Sequence, residues 1–257
     1  MSSNKTVSGT QGLPLFYRQP EVLEARRHSH LVVQPAMNFG FARHTNAVPV
    51  TVEEFYEMAL HYPIVFTRGE MPAPVVAIGL GRDLNLFVDG QGAWATDHPV
   101  PAYVRRYPFI FFERDDPPSL PLCIDRAGPM VGEAGRMEGA PLFIDGKPTE
   151  AAKQALKFCE LYQRQVVNTR AFTQALVEAR LLVERQININ TAAIRHTMAG
   201  FAMIDEERYR QLPDATVVEF QRKGYLAVIH AQMLSQRNWA ALARRYEAMA
   251  QPQGRAH

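Results

Sequence analysis

The sequence predicts an α+β protein: a mixed, largely antiparallel sheet in the N-terminal half, packed by helices of the C-terminal half. Two observations carry that reading. Short apolar runs rich in β-branched and aromatic residues crowd residues 30–145. From Thr149 onward the apolar residues fall instead at helical spacing. No internal repeat divides the chain.

The stretch Pro74–Glu113 is the predicted centre of the sheet. It reads PVVAIGL, then NLFVDGQGAW, then VPAYVRRYPFIFFE. The first and last contain runs of the make-up that suits strands buried on both faces. Asn85–Asp89 reads as a third strand, closed by Asp89-Gly90-Gln91-Gly92, whose Asp-Gly pair tolerates the positive φ of a tight turn.

Before it, MSSNKTVSGTQG is a polar tail without the apolar core of a secretory signal. Glu21–Arg27 reads as a short helix or turn, and HLVVQPA and FGFAR as two strands joined around Pro35 and Asn38. Thr51 with Glu54 three residues on forms a capping box, and Val52, Phe55, Ala59 and Tyr62 continue one helical face until Pro63. Ile64–Thr67 is the next strand. Pro101–Tyr107 is predicted to make one helical turn. Leu120–Ile124 is a single apolar run in a segment rich in Gly, Pro and charge, and Leu142–Asp145 is a last strand before the Gly146 turn.

Beyond Thr149, Ala152, Ala155, Leu156, Cys159 and Tyr162-Gln163 give one apolar stripe, and Phe172, Leu176, Ala179 and Val183 another. Two helices or one bent helix fit equally. Ile187–Thr191 and Gly200–Ile204 read as strands, Asp205 as the cap of a short helix, and Asp214 as the cap of a helix ending at Gly224. Tyr225–His230 reads as strand or buried turn, and Ser235 as the cap of the last helix. Residues 1–12 are thus a tail, 13–146 a β-rich lobe, 147–250 a helical lobe forming one compact unit with the first, and 251–257 a second tail.

Composition narrows the function classes. The chain has 257 residues, 28 basic and 26 acidic, for a net charge of +2. That balance offers little counterion release, so no nucleic-acid partner is expected. No apolar run approaches the roughly 18 residues that a transmembrane helix needs. The two cysteines, Cys123 and Cys159, sit in apolar patterns and are expected to be free thiols in a reducing cytoplasm.

Catalytic patterns are missing. The eight histidines include His28 and His30 two apart, but the sequence has no HExxH and no CxxC. No metal, cofactor or catalytic residue is therefore expected. Gly79-Leu80-Gly81-Arg82-Asp83 lacks the third glycine and the following helix of a phosphate loop, and reads as a hairpin turn. One constellation stands out: Trp94, Tyr103, Arg105, Arg106 and Tyr107 lie close together in sequence. Trp, Tyr and Arg bury much area while still offering directed hydrogen bonds, which suits a partner-binding face. A packed corner, with arginines covering aromatic rings, is the competing reading.

The runs His61–Phe66, Ala77–Leu80, Asn85–Val88, Gly92–Trp94 and Val100–Phe109 together resemble the SapC family of bacterial proteins. Gly200-Phe201, Ile204-Asp205-Glu206, Leu212, Gly224, Ser235 and Asn238 follow the same pattern. The resemblance implies a link to bacterial surface-layer protein and to peptide handling, beside peptide-modifying oxygenases, halogenases and outer-membrane receptors. It implies no catalytic residue. The expected function is a non-catalytic, cytoplasmic accessory protein that binds a protein or peptide through Trp94, Tyr103, Arg105 and Arg106. The alternative is an enzyme, or a subunit of one, modifying peptide side chains with or without iron; convergence of three His or carboxylate side chains on one pocket would mark it.

Overall fold

The strand Ile64–Thr67 is built from the residues best suited to a pleated, buried surface, and its first three side chains are buried. It pairs antiparallel with Pro74–Ala77, which pairs in turn with Ala47–Pro49. On its other side lies Arg195–Ile204, itself paired with Leu182–Asn190, completing a five-stranded antiparallel sheet. These coordinates are a computed structural model that describes residues 12–35, 38–81, 83–112, 114–115, 118–191 and 195–250. Both predicted tails, apart from Gly12, and the Ala36 end of HLVVQPA lie outside the described residues. Helices and antiparallel sheets together make the chain α+β, as the sequence predicts.

The chain divides into two units that interleave in sequence. One comprises Met1–Phe41 with Ala102–Arg164, and the other Ala42–Pro101 with Gln165–His257. The cuts do not fall at the 146/147 boundary read from composition. A single helix, Glu150–Glu178, supplies residues to both units, which settles the choice between one helix and two.

The second unit holds the five-stranded sheet. The capping box forms as predicted: the Thr51 amide and hydroxyl both donate to the Glu54 carboxylate, at 2.9 and 3.0 Å. The helix Tyr225–Ser235 packs on Ile64–Thr67. It replaces the strand or buried turn predicted at Tyr225–His230. Gly224, at φ +73°, ends the preceding helix Asp214–Arg222, and an all-round apolar run then starts a new one with no amphipathic signal to read. Pro213, not Asp214, occupies the N-cap. Ser235 does not cap the last helix, Asn238–Ala250. Its hydroxyl donates to the Gln232 carbonyl and accepts the Ile64 amide at 2.9 Å, tying helix to strand.

Asn85–Asp89 is not a strand, because the Asn85 side chain takes over the backbone's partners. It accepts the Phe87 amide at 2.8 Å and donates to the Ala42 carbonyl at 3.0 Å. One bridge, Val88 to Trp94, is what remains of the predicted ladder. The turn before it requires glycine, since a Cβ on Gly79 would sit 1.7 Å from the Leu84 carbonyl oxygen.

The first unit holds two three-stranded sheets. Phe109–Phe111 and Pro20–Val22 flank Leu122–Asp125, and Val131–Glu133 and Ala140–Pro141 flank Leu31–Val33. PVVAIGL and PFIFFE, predicted to share one sheet, therefore lie in different sheets and different units. FGFAR is a 3-10 turn, Gly40–Ala42, started by the Asn38 side chain accepting the Gly40 amide at 2.8 Å. Leu31, Phe109, Ile124, Leu142, Ala152 and Cys159 form one core; Tyr17, Tyr107, Ile110, Cys123 and Met130 form another. Asp125, fully buried, organises this unit. Its carboxylate accepts the Tyr107 hydroxyl at 2.9 Å and the amides of Arg18, Gln19 and Ala127 at 3.0, 2.7 and 3.2 Å.

Candidate functional site

Ala102–Arg105 forms the short helix that the sequence predicts, with Pro101 at its start. It places the candidate residues unequally. Tyr103 is buried, and its hydroxyl donates to the Leu15 carbonyl at 3.1 Å. Burial is the main cause that raises its pKa, and the Arg106 charge opposes that rise. Arg105 is exposed, with its guanidinium 5.5 Å from the Phe158 ring centre.

Arg106 is half-buried against two tyrosine rings set at 68° to each other, 4.2 Å from the Tyr103 ring centre and 4.5 Å from that of Tyr162. Its Nε is buried with no hydrogen-bond partner, and among the described residues no carboxylate pairs with it. The two rings hold the guanidinium in place, and its planar fork is the group that meets a carboxylate with two donors at once. An unsatisfied buried donor costs about 1–3 kcal/mol.

Both arginines line a cleft of about 380 Å³ within the first unit. Its walls are mostly apolar, with Val33 from one sheet, Phe109 from the other, Leu142, and Ala155 and Phe158 from the long helix, and the glutamines Gln34 and Gln154 also line it. None of the described lining residues is acidic. Two cations and a greasy wall therefore open on one space, an arrangement suited to a ligand with an anionic end and an apolar body.

Trp94 does not join them. It lies in the second unit, buried, with its indole N–H donating to the Tyr62 hydroxyl at 3.1 Å. The Tyr62 hydroxyl in turn donates to the Pro99 carbonyl at 2.8 Å. Burial raises the Tyr62 pKa well above its usual value. A tryptophan so held packs in the interior of its own unit. Sequence reasoning missed Phe158 and Tyr162, some fifty positions downstream. The spacing of Ala155, Phe158 and Tyr162 along one helix face was the signal available.

Among the described histidines, His61 and His98 meet with ring centres 5.3 Å apart. His28 is buried, accepting the Glu24 amide on Nδ1 at 3.0 Å and facing Glu21 with Nε2. Among the described residues, no three or more His, Cys, Asp or Glu side chains are placed to hold a metal ion. Cys123 and Cys159 are free and buried, and burial pushes the Cys159 thiol up to about 12. No helix among the described residues is long and apolar enough to cross a membrane.

Fold and site together define an α+β protein with an arginine-lined apolar cleft in one of two interleaved units. The family model for SapC matches residues 23–242, and the chain belongs to the SapC family. No curated protein and no solved structure matches it.

Proposed function

We propose that this chain is a non-catalytic accessory protein that holds a peptide or protein partner in the cleft beside Arg105 and Arg106. The observation that carries the reading is the Arg106 guanidinium, stacked on tyrosines and without a carboxylate, at the wall of an apolar cleft. Aromatic-backed arginines beside apolar pockets are the usual anchors of recognition surfaces. Of the four residues that the sequence singles out, Arg105 and Arg106 face the partner and Tyr103 backs Arg106. Within the SapC family such a role fits surface-layer or peptide handling, and a cytoplasmic setting agrees with two free thiols. Detection of the native chain outside the cytoplasm by fractionation would remove that last element.

The test is capture of partners from the source cell's lysate by wild type and by Arg106→Met, Arg105→Ala and Phe158→Ala variants. Each variant is expected to melt within a few degrees of wild type and to lose about 1–3 kcal/mol of binding to a captured partner. Undiminished binding by all three would remove the cleft from the function.

A further inference from the structure

We infer that the cleft recognises the free C-terminal carboxylate of a peptide whose last side chain is apolar. The inference rests on the binding reading above and narrows it. The first step is what the cleft's backbone can offer. Phe109–Phe111 is an edge strand of its sheet and Phe109 forms part of the wall, so the first route to weigh is a peptide adding there as a further strand. At Phe109 that route is closed: its amide already donates to the Arg106 carbonyl at 2.8 Å, and its carbonyl accepts the Tyr17 hydroxyl at 2.6 Å. Leu31–Val33 is the middle strand of the other sheet, and the Gln34 amide that follows donates to the Met130 carbonyl at 3.0 Å.

With those main-chain groups engaged, neither Phe109 nor Leu31–Val33 offers a ladder to a chain passing through, and the other edge strand there, Ala140–Pro141, is two residues long and ends in a proline that has no amide to donate. What it does offer is positive charge at one place and apolar wall around it. Arg105 and Arg106 are its charged lining residues, and Phe158, Ala155, Leu142 and Phe109 face the same space. A volume of about 380 Å³ is at the small end for ligand sites, enough for one or two residues rather than a long segment. A C-terminal residue places a carboxylate and its side chain on the same carbon, so both are satisfied within that space. An internal acidic residue brings two flanking chain segments whose amides and carbonyls the cleft leaves unpaired.

The experiment uses the full chain and fluorescein-labelled pentapeptide pools read by anisotropy. The pools end in Leu, Phe or Gly as free acids, the same three are also made as amides, and a further amidated pool carries an internal Glu. The Leu or Phe free-acid pool is expected to bind at least tenfold tighter than its amide and than the Gly free-acid pool. Arg106→Lys, which keeps the charge and loses the fork, should weaken that pool several-fold without moving the melting temperature. Arg105→Ala serves as the second variant, since it lies on the surface and cannot disturb the core. Equal binding of acid and amide, or preference for the internal-Glu pool, overturns the terminus inference and leaves peptide binding at the cleft standing. Displacement of the bound pool by octanoate at lower concentration than by unlabelled free-acid peptide overturns it in favour of a lipid-like acid. No binding by any pool overturns both.

Discussion

Each unit lays an arginine on aromatic rings, and the two are finished differently. In the second unit Arg245 lies 4.5 Å from the Phe87 ring centre and its Nε donates to the Leu86 carbonyl at 2.5 Å. In the first, Arg106 has the same kind of aromatic bed, but its Nε has no partner. Nor is the first unit careless with charge in general, since the Asp125 carboxylate beneath the same stretch accepts four donors. Among the described residues of the first unit the buried side-chain donor left unpaired is the Arg106 Nε, and in the second unit the Arg43 Nε is left the same way. On the proposed function, a fold that saturates a buried anion yet leaves the Nε of a neighbouring cation unpaired keeps that cation for a partner, at a cost in stability.

Substitutions test that contrast, beginning with the largest effect. Asp125→Ala should destabilise the protein by roughly 4 kcal/mol, because it strands the Tyr107 hydroxyl and three amides together. Denaturant melts giving less than about 1 kcal/mol would mean that the carboxylate is dispensable and the contrast unfounded. Arg245→Met should cost about 2 kcal/mol, since it removes both the ring contact and the bond to Leu86. Arg106→Met, chemically the same change, should shift stability by less than about 1 kcal/mol in either direction, because it deletes an unpaired charge while keeping the aliphatic packing. If the two arginine variants melt alike, the two sites are equivalent and Arg106 has no special standing.

The smallest effect is a dependence on pH. Burial is the largest cause lowering the pKa of His28, in the first unit, and of His98, in the second. Each folded value lies below the unfolded value near 6.5, so on acidification the unfolded chain binds protons first. Stability should be level above pH 6.5 and fall as pH drops below it toward the folded values. His28→Asn should flatten part of that slope. A melting temperature that rises on going from pH 7 to about 5.5 in that variant and wild type alike would contradict the assignment.

Local chemistry was legible in the sequence and distant pairing was not. The Thr51–Glu54 capping box, the Ile64–Thr67 strand, the turn after Pro101 and the Asp205 cap all depend on residues within a few positions of each other, and each forms. Asn85 defeated the strand reading because one side chain replaced the ladder's partners, which periodicity does not register. Ser235 has the composition of a cap and serves instead as a tie to Ile64, 171 positions away. The site divides on the same line. Arg105 and Arg106 stood out as residue types, whereas Val33, Leu142 and Phe158 reach the cleft through pairings that no local pattern encodes.

The interleaving of the two units bears on how the chain is made. Synthesis delivers Met1–Phe41 first and its partner segment, Ala102–Arg164, only after the sixty residues of Ala42–Pro101 have emerged. The cleft-bearing unit can then close while the ribosome is still adding Gln165–His257, without which the five-stranded sheet lacks two of its strands. Ala42–Pro101 must wait, with Ile64–Phe66 and Val76 still uncovered, for those strands and the helix Tyr225–Ser235. Nascent chains stalled within Gln165–His257 should accordingly be cut by protease in Ala42–Pro101 sooner than in Ala102–Arg164. The reverse order of cutting would place the second unit's folding ahead of the first.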